Sequence, residues 1–182
     1  MPAALDAVLS RRSHSKVTAD APTHDELLPL VAAAARVADH GALRPWRLIE
    51  LRGAARNRVG TAFVTAAGLT GGDAVKLEGK PLRAPLLIAI VARRVPSDKV
   101  ADWEQHAAAA GVAHMLSLLL TEAGWGVMWR TGGHTRAEAV RSVHDLTDSE
   151  DLLGWLYVGG VPGDCRPGVR LAIDPTDHLS VL

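Results

Sequence analysis

The chain lacks most of the features that mark a specialised class of protein. It has one cysteine, Cys165, so no intramolecular disulfide can staple it. With no secretory pattern over residues 1–12, a lone thiol fits a reducing compartment, and the expectation is a cytoplasmic protein. It has no net charge either. Its 20 basic and 20 acidic side chains cancel, which leaves no overall positive field to draw nucleic acid or anionic lipid. Apolar runs fall short of a membrane span: the longest, residues 107–120, contains His114 and Ser117 and reads as a buried helix.

Several catalytic signatures are also missing. Neither G-x-G-x-x-G nor G-x-x-x-x-G-K-[ST] occurs, which weighs against Rossmann and P-loop sites. There is no H-E-x-x-H, and the 8 histidines form no other metal-ligand spacing, so no metal is expected. The absence of G-x-S-x-G disfavours a hydrolase of that type.

What is present is ordinary globular composition. With 48% hydrophobic and 22% charged residues over 182 positions, one domain covering residues 1–182 is expected. Leu5, Val8 and Leu9 have helical spacing and lead into Arg11-Arg12. Thr23 and Glu26 make a capping box ahead of Leu27, Leu30, Val31, Ala34 and Ala38, which share one helical face. A strand is expected over residues 47–51, then an amphipathic helix over 54–67 closed by the glycines at 68–72. The run Leu86–Val91 is apolar on both alternating faces and reads as a fully buried, central strand. Residues 102–123 read as a core helix packed on most of its circumference, and 125–129 as a strand. Thr135 with Glu138 is expected to cap a further helix, and 153–158 to form the last buried strand. The tail, residues 161–182, carries Pro162, Pro167 and Pro175 among scattered apolar residues and needs a surface to lie on.

Three stretches carry donors that suit a ligand. Arg11-Arg12-Ser13-His14-Ser15-Lys16 sets three cations and two hydroxyls close together, enough to hold a phosphate or a ribityl chain. A solvated helix end would use the same letters. Arg36, His40 and Arg44 precede Pro45-Trp46 and offer hydrogen-bond donors to a flat aromatic cofactor, or simply a surface loop anchored by Trp46. Trp129-Arg130-Thr131 runs into Gly132-Gly133, where bare backbone N–H groups can approach a ligand, as they can in any turn.

Taken together and in this order, the three stretches resemble the nitroreductase family, with R-R-S near the N-terminus, a helix ending before Q-P-W, and a glycine-aromatic strand downstream. The likeness is greatest to the small single-domain bacterial branch, through Asp39-His40 to Trp46, Trp103-Glu104-Gln105, and Gly126 to Gly132 with its Trp129-Arg130-Thr131. It covers roughly residues 5–174. The resemblance implies an α+β fold with a mostly antiparallel sheet flanked by helices, and an intertwined homodimer with two FMN sites at its interface. It implies electron transfer from NAD(P)H to a small organic acceptor, a nitro compound or quinone, in a ping-pong order. No catalytic side chain is then required, because the chemistry is the flavin's.

Carried over by position, the resemblance gives FMN contacts to Arg11, Arg12, Ser13, Lys16, Arg36, His40, Arg44, Trp129, Arg130 and Thr131, and nicotinamide binding to the region of residues 119–124. Arg44 departs from the family by standing where glutamine is usual. Val17 is smaller than the usual hydrophobe near that position, and Lys16 stands where arginine is common. A protein that stores or sequesters FMN without turnover is the alternative reading.

Overall fold

A computed structural model describes residues 3–164 and 170–182; Cys165 and Pro167, singled out above, lie outside the described residues. Four strands, β1 (Trp46–Leu51), β2 (Leu86–Arg93), β3 (Trp125–Arg130) and β4 (Glu150–Gly160), form one sheet in the order β1-β2-β4-β3, with every pairing antiparallel. Six helices surround it: α1 (Ala3–Ser10), α2 (His24–Ala34), α3 (Ala54–Ala67), α4 (Gly71–Glu78), α5 (Asp102–Glu122) and α6 (Glu138–Val143). The α+β class expected from the sequence is the one observed.

The strand β2 lies inside the sheet, and its side chains from Leu86 to Ala92 are buried on both faces. On one face Leu87, Ala89 and Val91 meet Val59 and Phe63 of α3 and Val140 of α6. On the other, Leu86, Ile88 and Ile90 meet Val112, Leu116 and Leu120 of α5. Each such leucine or isoleucine contributes about 1.5–3 kcal/mol by leaving water, which is why an unbroken apolar run can only be an interior strand.

Local signals set several boundaries. Thr23 Oγ1 accepts from the Glu26 backbone at 3.2 Å while Glu26 Oε2 accepts from the Thr23 backbone at 2.7 Å, so α2 starts on the expected box. It stops earlier than the apolar spacing suggests. Arg36 and Val37 bond back three residues, to Ala33 and Ala34, and this tightened turn takes Ala38 off the helix. A second departure concerns Thr135, which caps no helix. Its hydroxyl turns back to the Gly132 carbonyl at 2.9 Å inside a 3-10 turn (Gly133–Arg136), and α6 begins after Ala137 without a side-chain cap.

The helix α5 also differs from expectation. It buries one stripe, Ala108, Ala109, Val112, Ala113, Leu116 and Leu120, while His114 and Met115 remain exposed, because a single sheet covers only one side of it. Gln105 on that stripe is buried and pins the preceding loop, accepting from the Val95 N–H at 2.8 Å and donating to the Val95 carbonyl at 2.9 Å.

Candidate functional site

The N-terminal basic stretch is laced to the sheet. His14 N–H donates to the Val127 carbonyl at 2.9 Å, Thr18 N–H to Gly160 at 2.8 Å, and Gly160 N–H to Asp20 at 2.8 Å. This approach requires glycine in the strands: a Cβ on Gly159 would sit 2.7 Å from Val17 Cγ2 and 2.8 Å from the Thr18 carbonyl. The small Val17 therefore fits here where a larger hydrophobe would crowd the strand. His14 and Val17, set among the predicted residues Arg11, Arg12, Ser13 and Lys16 in the chain, thus lie against the outer strand, β3, whose far end carries Trp129 and Arg130; three residue steps along the strand separate Val127 from Arg130, about 10 Å.

Strand alternation sends Trp129 and Arg130 to opposite faces. Trp129 packs toward α5, with its ring edge-on to His114 at 4.9 Å. Arg130 lies over the Tyr157 ring, 5.2 Å from its centroid. Both residues also border a cavity of about 440 Å³ at this end of the sheet, which Met128, Thr131, Gly132, Phe63, Lys80, Arg83, His134, Trp155 and Tyr157 complete. Burial pushes the Tyr157 phenol up to about 12, against the pull of Arg130 and Arg83, so it is a neutral group at physiological pH.

His40 and Arg44 occupy a strained loop. Gly41, Ala42 and Arg44 have φ of 73°, 51° and 47°, and the two non-glycine residues in that region cost roughly 1 kcal/mol each. The Asp39 carboxylate holds the turn by accepting from the Arg44 backbone N–H at 2.7 Å. His40 Nδ1–H donates to Glu104 at 2.9 Å, which holds that carboxyl below its ordinary range. Arg36 is exposed at the end of α2, and Trp103 beside Glu104 is 72% exposed.

One protomer therefore gathers Trp129, Arg130 and Thr131 at a cavity and ties the stretch that carries Arg11, Arg12, Ser13 and Lys16 to the same strand through His14. Arg36, His40 and Arg44 form a separate group, and none of them lines that cavity. Sequence reasoning missed Lys80, Arg83, His134 and Tyr157. The signal for the first two was their spacing: in the 3-10 turn Lys80–Arg83, residues three apart eclipse and project to the same side.

Among the described residues, four buried side-chain polar atoms have no hydrogen-bond partner: His14 Nδ1, Arg56 Nε, Trp129 Nε1 and Arg130 Nε. Three of the four belong to β3 or to the N-terminal stretch beside it. Buried polar atoms are normally satisfied, so their concentration here marks a candidate ligand site. No group of His, Cys, Asp and Glu among the described residues is placed to hold a metal ion.

An antiparallel sheet between helices, with unpartnered buried nitrogens and a cation-bordered cavity at its outer strand, defines an α+β protein with a candidate ligand site at that strand. The comparisons with known proteins make this specific. The nitroreductase family model matches residues 8–160, and the chain belongs to that family. An Escherichia coli (strain K12) protein named "Putative NAD(P)H nitroreductase YdjA" is 31% identical over 97% of this chain and 98% of its own. The structure of a nitroreductase-like family protein from Bacillus cereus superimposes with a TM-score of 0.85 at 22% identity, covering 100% of this chain and 97% of that one. A Bacteroides fragilis nitroreductase solved with bound FMN gives 0.79 at 13% identity, with full coverage of both chains.

Proposed function

We propose that the protein is an FMN-dependent oxidoreductase that takes electrons from NAD(P)H and passes them to a nitro compound, a quinone or a related small acceptor, working as a cytoplasmic homodimer. The observation that carries this reading is the placement of His14, Trp129 and Arg130, with their unpartnered buried nitrogens, on the stretches that match the family's FMN segments. That donor set suits the group: cations and a hydroxyl for a phosphate, N–H donors for the oxygens and nitrogens of a flat heterocycle.

On this reading Arg11, Arg12, Ser13 and Lys16 hold the phosphate end, and the Trp129–Thr131 segment orients the ring. Arg36, His40 and Arg44 serve the site of the partner subunit, which is why one protomer does not gather them with the others. The exposed face of α5 and the exposed apolar residues Leu5, Val8 and Leu9 of α1 give the two subunits surface to share. Residues 119–124 border the nicotinamide. Bound FMN supplies two-electron transfer, and one site then serves donor and acceptor in turn, a ping-pong order. The chain's part is to fix the ring, to exclude water, and to stabilise negative charge on it through fixed cations.

The test is direct. Flavin released from the purified protein is identified by mass, and the holoprotein is mixed anaerobically with NADH and with NADPH. FMN near one per subunit and bleaching of its visible band are expected. Stoichiometric FAD would overturn the cofactor assignment, and colour that persists with both nucleotides would leave a protein that stores FMN instead.

A further inference from the structure

One stretch singled out in the sequence, Trp103-Glu104-Gln105, has no part in the redox reading, yet two of its residues grip the loop that carries His40 and Arg44. Gln105 works on the backbone. Its amide donates to the Val100 carbonyl at 3.4 Å, and Val100, itself buried, lies against Gly41, where a Cβ would stand 3.5 Å from its Cγ2. Glu104 works on the side chain. Its Oε2 accepts from His40 Nδ1 at 2.9 Å while Oε1 accepts from the Ala101 N–H at 3.2 Å, so the carboxylate that starts α5 also holds an imidazole from a distant part of the chain. These two bonds keep the Glu104 carboxyl below its ordinary range, and an ionised carboxylate only accepts, which puts the shared proton on Nδ1. The other ring nitrogen, Nε2, makes no hydrogen bond among the described residues, and the His40 side chain is 58% exposed.

We infer that Glu104 is a positioning residue of the cofactor site: it fixes the His40 ring with its proton on Nδ1, so that Nε2 is the atom offered to the cofactor of the partner subunit. The inference rests on the reading that gives His40 to that cofactor. An ion pair whose partners are 58% and 28% exposed contributes little to stability, so the fold alone gives no reason for the arrangement. The loop is costly as well, with Ala42 and Arg44 at positive φ, and strain of that kind persists where surrounding contacts over-determine the backbone, as they do at ligand sites. Gln105 and the Asp39 carboxylate supply those contacts to the backbone, and Glu104 extends them to the side chain. Without the carboxylate the imidazole turns about its own bonds and its proton moves between the two nitrogens, so a contact through Nε2 carries an ordering cost. With it, ring orientation and tautomer are set before the cofactor arrives.

A double-mutant cycle on the holoprotein separates positioning from a structural effect, with FMN release followed by flavin fluorescence over a dilution series of the wild type, H40A, E104A and H40A/E104A. H40A is expected to weaken FMN retention roughly tenfold and E104A roughly threefold to tenfold, as for a lost hydrogen bond. In the H40A background, removing Glu104 has no further effect, because the carboxylate acts through the imidazole alone. Losses that multiply in the double variant overturn the inference: Glu104 then acts through the start of α5, whatever stands at residue 40. Nitrogen-15 spectra of ring-labelled histidine at about pH 8.5, above the ordinary histidine range, give a readout independent of affinity. With the His40 signals assigned by their absence in H40A, the wild-type ring is expected to hold its proton on Nδ1 and E104A to shift it toward Nε2. A wild-type ring protonated on Nε2, or one that E104A leaves unchanged, overturns the inference. Each of these results leaves His40 in the cofactor site. H40A that keeps FMN as the wild type does has a wider consequence: it takes His40 out of that site, and both the partner-site reading and the inference fall.

Discussion

The indole N–H of Trp155 donates to Nε2 of His144 across 2.9 Å, and His144 donates from Nδ1 to the Val140 carbonyl at 2.8 Å. The chain of bonds ties α6 to β4 beneath the cavity floor and fixes His144 in one neutral tautomer. Burial holds its pKa below the ordinary value of 6.5. The folded state thus resists a proton that the unfolded state accepts, so this contribution to stability is present above pH 6.5 and is lost as pH falls through the folded value. Urea unfolding between about pH 8 and pH 5 reads it. His144→Phe is expected to flatten the slope in that window and to cost roughly 1–3 kcal/mol at the alkaline end, since the Trp155 N–H is left unpaired. Identical slopes in the two proteins would show that His144 is not the group that titrates.

A second acid-sensitive contact lies lower in pH. Arg47 grips Glu150 with Nε to Oε1 at 2.7 Å and Nη2 to Oε2 at 2.9 Å, and that carboxylate is buried. These bonds hold the Glu150 pKa below its ordinary 4.5, so the stability they give is present above pH 4.5 and fades as pH falls through the folded value. Glu150→Gln leaves the guanidinium without its counter-charge and is expected to cost about 2–4 kcal/mol at pH 7. Thermal unfolding at pH 7 and pH 4 should show the wild type and the variant converging in acid. A variant with the wild-type Tm at pH 7 contradicts this.

The bulge in β4 positions Arg130. Ile90 pairs with Gly154 and Val91 with Leu152, leaving Leu153 as the extra residue, and Gly154 takes a φ of +127°. A Cβ there would run into the Arg130 carbonyl and sit 2.9 Å from Trp129 Nε1. Gly154→Ala is expected to cost at least about 2 kcal/mol and to alter the near-UV circular dichroism of the tryptophans. Unchanged spectra with a wild-type Tm would mean that the bulge relaxes freely.

What could be read in the sequence follows how local each signal is. The Thr23–Glu26 box and the apolar run of β2 are written within a few residues, and both were legible. The helix α4 was not, because Gly71-Gly72 looks like a breaker, yet Leu77 is buried and holds the helix in place. Thr135 misled for a related reason: its hydroxyl had a nearer acceptor in Gly132 than the N–H groups of α6. Within the candidate site, each of the three donor stretches is contiguous and could be found by reading. The cavity is not, since Phe63, Lys80, Arg83, Trp155 and Tyr157 come from three separate segments.

The last prediction concerns the tail. Arg170 reaches back to the carbonyls of Leu9 and Arg11, beside the N-terminal basic stretch. Beyond it, Leu171, Ile173, Leu179 and Val181 are 74–97% exposed in the isolated chain. So much apolar surface on one segment calls for burial, and so does α1, which buries none of its residues. A second copy of the chain offers partners to both at once, and a cofactor bound at the junction ties its retention to association. Deleting residues after Pro175 is therefore expected to weaken the dimer and to release FMN over the same concentration range, followed by light scattering and flavin fluorescence in a dilution series. The wild type should show the same coupling at lower protomer concentration. A monomer that keeps its FMN at full occupancy would separate the two events, and the site would then belong to one subunit.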